Sequence, residues 1–220
     1  MNYWEERYQE GGPSNTGQVV ESYRWMWSVI KKYDPHPEDI IDVGCGDLTF
    51  WKGRDCLNYL GIDISPTILK KNWKERPNWK FNCQDAATPI SSSAKTVLCF
   101  NVLFHIVDDE DYLRIIENLT KATEKLLFIF TWTRDPYRTP AFILRHPGAF
   151  VHYALGRSGI YGIVPHKFRP MDNSLFVQAG LVLIGRHICP LNQGIGTMYV
   201  YERKKVKPFK KTQPQVGLWG

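Results

Sequence analysis

A glycine pair and several polar side chains follow four successive apolar segments, each at the point where a strand would end. Gly44 and Gly46 follow the first segment, Asp63 closes the second, Asp85 follows the third and Asn101 follows the fourth. Because parallel strands end at one edge of a sheet, these residues are predicted to meet there. Glycine lets a ligand lie against bare backbone, and a carboxylate accepts hydrogen bonds from ribose hydroxyls. The pattern predicts a nucleoside site.

The spacing of these residues narrows the class of nucleoside. Asp63 lies 17 residues after Gly46, about where a carboxylate must stand to bind both ribose hydroxyls of an adenosine. Asp85 is placed to meet the adenine amino group. A dinucleotide turn needs a third glycine where Thr49 stands, and the chain has no Gly-Lys-Ser/Thr phosphate loop. An adenosine ligand without phosphates fits these residues better.

The segments that carry these residues alternate between strand and helix patterns. A helix is predicted directly after Gly46 as far as about Asp55, and another after the Ser65-Pro66 start signal. The fold class predicted from this order is α/β, with a doubly wound, mostly parallel seven-stranded sheet and an antiparallel last strand. The predicted strands span residues 39–43, 59–64, 79–83, 96–101, 126–132, 181–189 and 197–203.

Composition and charge exclude several classes of protein. The chain is 43% hydrophobic and 23% charged, as in globular proteins, and its short apolar runs exclude a membrane-spanning segment. The amino terminus lacks a signal-peptide pattern, so a cytoplasmic location is predicted. The five scattered cysteines show no metal-site spacing, which predicts reduced thiols and no metal.

The net charge of +6 leaves more than one kind of partner open. Nucleic acid, an anionic surface, or a phosphorylated or carboxylated small substrate would each suit it. Much of the charge lies in a basic tail at residues 204–220, and such a tail is more often a solvated end than a binding patch. The charge therefore does not identify the partner.

Four motifs together resemble those of the class I S-adenosylmethionine-dependent methyltransferases: Asp42-Val-Gly-Cys-Gly, Gly61-Ile-Asp-Ile-Ser, Asp85-Ala86 and Asn101-Val-Leu-Phe-His. The resemblance covers residues 40–132, and the closing hairpin is similar to the family's reversed seventh strand. Leu48 departs from the pattern, because many members carry a third glycine there; this puts the shape of the loop in question. The resemblance implies that S-adenosylmethionine is the cofactor. Its implied ligands are Asp42, Gly44, Gly46, Asp63, Ile64, Asp85, Ala86 and Asn101.

The amino-terminal run Tyr3–Tyr8 resembles the segment that folds over the cofactor in some small-molecule methyltransferases. Trp4 is then predicted to face the sulfonium through a cation–π contact, and Arg7 to pair with the methionine carboxylate. The alternative is that Trp4 and Tyr8 pack one face of an amphipathic helix.

Methyl transfer from a sulfonium is an in-line displacement, so alignment of the acceptor supplies most of the effect. A base is needed only where the acceptor must lose a proton, and His105 and His166 are the two histidines placed to act so. The alternatives are helix-start packing for His105 and a plain loop histidine at position 166. Residues 134–170 are interpreted as an acceptor lid, because long loops rich in aromatic residues are usually functional. The acceptor-binding candidates are Tyr137, Arg138, Tyr161 and Arg169.

Residues 1–220 are thus predicted to form one methyltransferase domain, with a helical cap at 1–35, the lid at 134–170 and the basic tail at 204–220. The first hypothesis is O- or N-methylation of a small molecule or glycan. The second is RNA methylation, favoured by the tail and weakened by the lack of an Asp/Asn-Pro-Pro-Tyr-like motif. The third is a non-catalytic S-adenosylmethionine-binding subunit. The sequence leaves the acceptor atom and the oligomeric state open.

Overall fold

The computed structural model describes residues 3–14, 19–133, 166–191 and 196–204. Its strands form one seven-stranded sheet with helices on both faces. The elements, labelled in chain order, are α1 (Tyr3–Gln9), α2 (Val19–Tyr33), β1 (Asp39–Val43), a 3-10 turn (Thr49–Trp51), β2 (Asn58–Asp63), α3 (Pro66–Glu75), β3 (Lys80–Cys83), β4 (Ala94–Phe100), a second 3-10 turn (Leu103–His105), α4 (Asp109–Ala122), β5 (Thr123–Trp132), α5 (Asn173–Gln178), β6 (Leu181–Ile188) and β7 (Gly196–Arg203).

The strand order in the sheet is β3-β2-β1-β4-β5-β7-β6. Strands β1 to β5 pair in parallel, and β7 runs antiparallel to both β5 and β6. The order reverses between β1 and β4, so a crevice opens outside the carboxyl ends of these two strands. The predicted fold class is confirmed, with its antiparallel last strand.

Each face of the sheet is covered by its own apolar cluster. Helix α4 buries Tyr112, Ile115, Ile116 and Leu119 against one face, at the spacing of a single helical stripe. This helix begins at Asp109, where the side chain of Asp108 caps it by accepting a hydrogen bond from the Asp111 amide at 2.9 Å. Central strand β5 is buried over residues 126–131, as expected for a strand covered on both faces. The parallel strands are therefore fixed by packing on both sides.

The helix predicted directly after Gly46 is wrong. The segment contains only the 3-10 turn Thr49–Trp51. Leu48 adopts a left-handed backbone conformation with φ of 56°, and Gly53 does so with φ of 71°. Only four residues separate these two positions, too few for an α-helix of useful length. The turn instead buries Trp51 in the core.

Within the described ranges, no helix has the length and apolar content needed to cross a membrane. Residues 134–165 and 205–220 lie outside the described residues. Most of the predicted lid and nearly all of the basic tail fall there, so both assignments stay predictions. Three acceptor-binding candidates fall there as well: Tyr137, Arg138 and Tyr161.

Candidate functional site

The turn between β1 and the first 3-10 turn has the backbone that the glycine pattern predicted. Gly44 and Gly46 have φ of 76° and 54°, in the left-handed region that favours glycine. A β-carbon on Gly44 would clash with Val102, and one on Gly46 would clash with Ser14. Leu48, where a third glycine was expected, also takes the left-handed conformation, and its side chain is buried. The loop therefore keeps its tight shape despite the leucine.

Asp63 ends β2 directly beside this turn. Its Oδ2 accepts a hydrogen bond from the Gly46 amide at 3.0 Å, and its Oδ1 accepts one from the Ser65 amide at 3.0 Å. Burial nevertheless raises the pKa of Asp63, because the backbone hydrogen bonds from Ser65, Gly46 and Ile64 do not offset the loss of water. Each carboxylate oxygen has two lone pairs, so one acceptor site on each remains for two ribose hydroxyls.

Asp42 lies beneath the turn and faces the core. Its Oδ2 accepts hydrogen bonds from Nε1 of Trp51 at 2.8 Å and from the hydroxyl of Tyr59 at 2.9 Å. Burial raises the pKa of Asp42 to about 6. These contacts give Asp42 a structural role in supporting the turn, while its predicted contact with the cofactor stays a prediction.

The ends of β3 and β4 complete the edge. Asp85 is exposed, and its Oδ1 accepts a hydrogen bond from the Ala87 amide at 2.8 Å. Asn101 has φ of 59°, and its amide donates to the carbonyl of Phe130 at 2.9 Å. Ile64 is exposed next to buried Asp63, and Ala86 is half-buried. The edge thus offers apolar surface and polar side chains together, as an adenosine requires.

Helix α1 docks on the same edge through a contact that the sequence did not predict. The Glu5 carboxylate accepts hydrogen bonds from the Ser65 hydroxyl, from the Thr67 hydroxyl at 2.6 Å and from the Thr67 amide at 3.3 Å. These hydrogen bonds, led by that from Ser65, lower the pKa of Glu5 to about 2. Following α1, Ser14 exchanges hydrogen bonds with Asp47, at 2.9 and 3.1 Å. The segment is therefore tied to the loop after β1 and to the start of α3.

The two amino-terminal candidates, Trp4 and Arg7, differ in their surroundings. Trp4 packs edge-on against His105, with ring centroids 5.0 Å apart. Arg7 donates to the carbonyl of Pro13 at 2.7 Å and to the hydroxyl of Tyr3 at 3.2 Å. Trp4 thus lies beside a predicted catalytic histidine, while Arg7 holds the loop that follows α1. Both cofactor assignments stay predictions.

The structure brings the two candidate catalytic histidines together. Their ring centroids are 4.7 Å apart, although 61 positions separate them in the chain. The amide of Lys167 donates to the carbonyl of Phe104 at 2.9 Å, which joins the two segments. Burial, with the neighbouring His166, lowers the pKa of His105 to about 3. His105 is therefore a neutral imidazole at neutral pH.

Arg169, predicted to bind the acceptor, is engaged within the protein. Its guanidinium donates hydrogen bonds to the Asp109 carboxylate and to the backbone carbonyls of residues 106–108. It also lies over the ring of Tyr112, 4.5 Å from the centroid. Lys167 contacts the same Asp109 carboxylate at 2.7 Å. In this structure Arg169 anchors the segment that carries His166, and its acceptor contact remains a prediction without support from the geometry.

Comparison with known proteins agrees with this architecture. Residues 41–128 match the family model described as a methyltransferase domain. Residues 41–128, which run from β1 to β5, are thus similar to a methyltransferase domain. The family uses S-adenosylmethionine, and the matched residues include the turn after β1, Asp63 and Asn101. A search of curated protein sequences found no significant match.

Solved structures resemble this chain in fold at low sequence identity. Magnesium protoporphyrin IX methyltransferase from Synechocystis, with bound S-adenosylhomocysteine, is 16% identical, with 92% of this chain and 93% of that chain covered and a TM-score of 0.61. The N-methyltransferase NodS from Bradyrhizobium japonicum is 13% identical, covering 84% and 87%, with a TM-score of 0.59. A possible exported protein from Bordetella parapertussis is 13% identical, covering 93% and 80%, with a TM-score of 0.63.

The carboxyl edge of the sheet offers groups that suit the parts of S-adenosylmethionine. Asp63 has free acceptor capacity for the ribose hydroxyls, and its raised pKa indicates a carboxylate that further donors would stabilise. Ile64 and Ala86 offer apolar surface for the adenine. The glycine turn would let the methionine part of the cofactor approach the backbone closely. The residues present therefore fit the cofactor.

Sequence reasoning missed two features of this site. Glu5 looked like a surface residue of α1, and no local signal indicates a contact with Ser65, 60 positions away. Trp132 could have been found, because it ends β5 at the same edge as the other strand-end residues. The rule that identified Asp63 and Asn101 applies equally to this fifth strand.

The buried Asp42 carboxylate makes the stability of this protein depend on pH. Its pKa is about 6 in the folded state and about 3.9 when unfolded, so the folded state binds the proton more tightly. Asp42 therefore favours folding most below about pH 4, and this contribution is lost as the pH rises through about 6. Asp42→Asn keeps an acceptor for Trp51 and Tyr59 without titrating. Relative to wild type, we expect the variant to gain about 2–3 kcal/mol of unfolding free energy between pH 4 and pH 7.

Urea unfolding of both proteins across this pH range measures the difference. Carboxylates other than Asp63, whose charge acts on Asp42, titrate alike in the two proteins, so the comparison reports chiefly on Asp42. A constant difference in the free energy of unfolding would contradict the assignment.

Proposed function

We propose that this chain transfers methyl groups from S-adenosylmethionine to an oxygen or nitrogen of a small-molecule or glycan acceptor. The observation that carries the proposal is the convergence of the glycine turn, Asp63 and Asn101 at one edge of the sheet, next to the pair of His105 and His166. The similar structures named above include a methyltransferase for magnesium protoporphyrin IX and an N-methyltransferase, which supports a small-molecule acceptor.

The chain's own residues would bind and align the reactants. The bound cofactor supplies a methyl carbon whose bond to sulfur breaks with the electron pair staying on the sulfur. Trp4, packed against His105, would shield that region from water. For a hydroxyl acceptor, His166 would take the proton and neutral His105 would orient the hydroxyl. His105 is the weaker candidate for the base, because an imidazole with a pKa of about 3 has little tendency to accept a proton at neutral pH. Alignment would supply most of the rate effect.

Incubation of the protein with labelled S-adenosylmethionine and a cell extract, followed by mass spectrometry, tests the function. Labelled small molecules or glycans are the expected products. Labelled RNA would favour the RNA methyltransferase, for which the basic tail is the motivating feature. No labelled product, with the cofactor bound, would favour a non-catalytic subunit. A cytoplasmic location is part of the proposal, and cell fractionation tests it.

Deleting residues 137–161 is expected to abolish methylation and to leave S-adenosylhomocysteine binding within a few-fold of wild type. The cofactor residues follow strands β1 to β4, whereas the deleted segment follows β5, so the two functions should separate. Calorimetry with S-adenosylhomocysteine and the labelled-extract assay measure them independently. Loss of cofactor binding in the deletion variant would show that the segment belongs to the core and that the lid assignment is wrong.

A further inference from the structure

Three aromatic rings lie nearly parallel at the carboxyl ends of β4 and β5. Phe104 stacks on Trp132 with centroids 4.7 Å apart and an angle of 15° between the rings. Phe168 lies 6.4 Å from both of them, at angles of 16° and 6°. We name Phe104, Trp132 and Phe168 the aromatic wall. It adjoins His105, whose ring centroid is 4.3 Å from that of Phe104.

Two buried nitrogen atoms at the aromatic wall have unmet hydrogen-bonding capacity. Across the described part of the chain, neither Nε1 of Trp132 nor Nδ1 of His105 has a hydrogen-bond partner. Buried polar atoms in native proteins are nearly always paired, so an orphaned atom indicates a missing ligand or water. The indole nitrogen is a donor only, so the group that satisfies it must be an acceptor such as oxygen.

The aromatic wall carries little charge in its described surroundings. Lys167 and Arg169 flank Phe168 in sequence, but both are paired with Asp109. His105 is neutral, because burial lowers its pKa to about 3. A ligand here would be recognised through ring stacking and neutral hydrogen bonds. A sugar ring carries several hydroxyls that each need a hydrogen-bond partner, whereas the aromatic wall offers only two orphaned nitrogen atoms among the described residues. The aromatic wall therefore suits a sugar ring poorly.

We infer that the aromatic wall binds the methyl acceptor as a planar unsaturated ring, with an oxygen on that ring accepting a hydrogen bond from Nε1 of Trp132. This inference rests on the proposed function and narrows its acceptor class to hydroxylated aromatic compounds. The ring would extend the stack of the aromatic wall, and its hydroxyl group would reach the two orphaned nitrogens. Binding would thus remove the unmet hydrogen-bonding capacity that the structure shows.

Calorimetry on protein saturated with S-adenosylhomocysteine tests the inference with matched pairs of probes. The pairs are phenol with cyclohexanol, and 2-naphthol with decahydro-2-naphthol, which share the hydroxyl group and differ in ring planarity. We expect at least one aromatic alcohol to bind about tenfold or more tightly than its saturated partner. Trp132→Phe keeps an aromatic ring at this position, although a smaller one, and removes the indole N–H donor; it should weaken that binding about three- to tenfold. Trp73→Phe, on half-exposed α3 surface, is the control and should bind like wild type.

The measurements separate this inference from the proposed function. Unchanged S-adenosylhomocysteine affinity shows that Trp132→Phe is folded. If the saturated alcohols bind as tightly as the aromatic ones, if no aromatic alcohol binds, or if Trp132→Phe binds like wild type, the inference is overturned. The proposed function would survive each of these results. It would fall if the wild-type protein failed to bind the cofactor product, labelled no acceptor, or labelled RNA instead of a small molecule or glycan.

Discussion

Replacing Asp63 by alanine is expected to weaken S-adenosylhomocysteine binding about tenfold to a hundredfold. A buried carboxylate that accepts hydrogen bonds from a ribose diol contributes roughly 1.5–3 kcal/mol to binding. Asp63 is suited to this role, because burial raises its pKa and each of its oxygens carries one amide contact, which leaves acceptor capacity. Titration calorimetry with S-adenosylhomocysteine measures the effect.

Asp39→Ala provides the matched control for this substitution. Asp39 begins β1 at the opposite end of the strand, and its carboxylate also accepts a backbone hydrogen bond, from Lys95 at 3.0 Å. The control should lose some stability and keep its affinity for the cofactor product. Thermal unfolding confirms that both variants are folded at the assay temperature. Wild-type affinity in folded Asp63→Ala would remove the central argument for the site.

His166→Ala is expected to lower kcat at neutral pH by about 10²–10⁴-fold for a hydroxyl acceptor, the usual contribution of a general base. Cofactor affinity should change little, because His166 lies against His105 and the aromatic wall rather than at the ends of β1 to β3. Steady-state kinetics on the acceptor identified from extracts, with calorimetry for the cofactor, separates the two effects.

Lys167→Ala is the control for His166→Ala, since it shortens a neighbouring side chain and leaves the backbone contact to Phe104 in place. Arg169 also holds Asp109, so the segment should stay anchored and the rate should fall much less than in His166→Ala. Full activity of His166→Ala would assign proton removal to His105 or would indicate an acceptor that is already nucleophilic, such as an amine.

The sequence by itself determined the fold class and the edge of the sheet where the strand-end residues Gly46, Asp63 and Asn101 meet. Apolar runs, helix start signals and strand-end residues are local patterns, and the connection rules for parallel sheets convert them into a common edge. Ser65 caps its helix as predicted, and Asp63 meets the Gly46 amide across 17 positions. The family motifs placed the same residues at the same edge.

The prediction of a helix directly after Gly46 failed, because long-range packing and not local sequence decides the conformation of this segment. Its sequence has no helix breaker before Gly53, so periodicity favoured a helix. Trp51 instead turns into the core to reach Asp42 and Tyr59, and Leu48 takes a left-handed conformation to allow it. The stability gained from burying a tryptophan and satisfying a buried carboxylate outweighs the propensity of three or four residues.

Only the tertiary structure showed which distant residues share a surface. Glu5 contacts Ser65, His105 contacts His166, and Trp132 stacks with Phe168, each across at least 36 positions of the chain. Such pairs leave no periodic signal, because contact between them depends on where whole elements pack and not on the spacing of neighbouring residues. The aromatic wall is a result of the same kind. Its three rings and the two orphaned nitrogens beside them meet only where β4, β5 and the segment at His166 pack together.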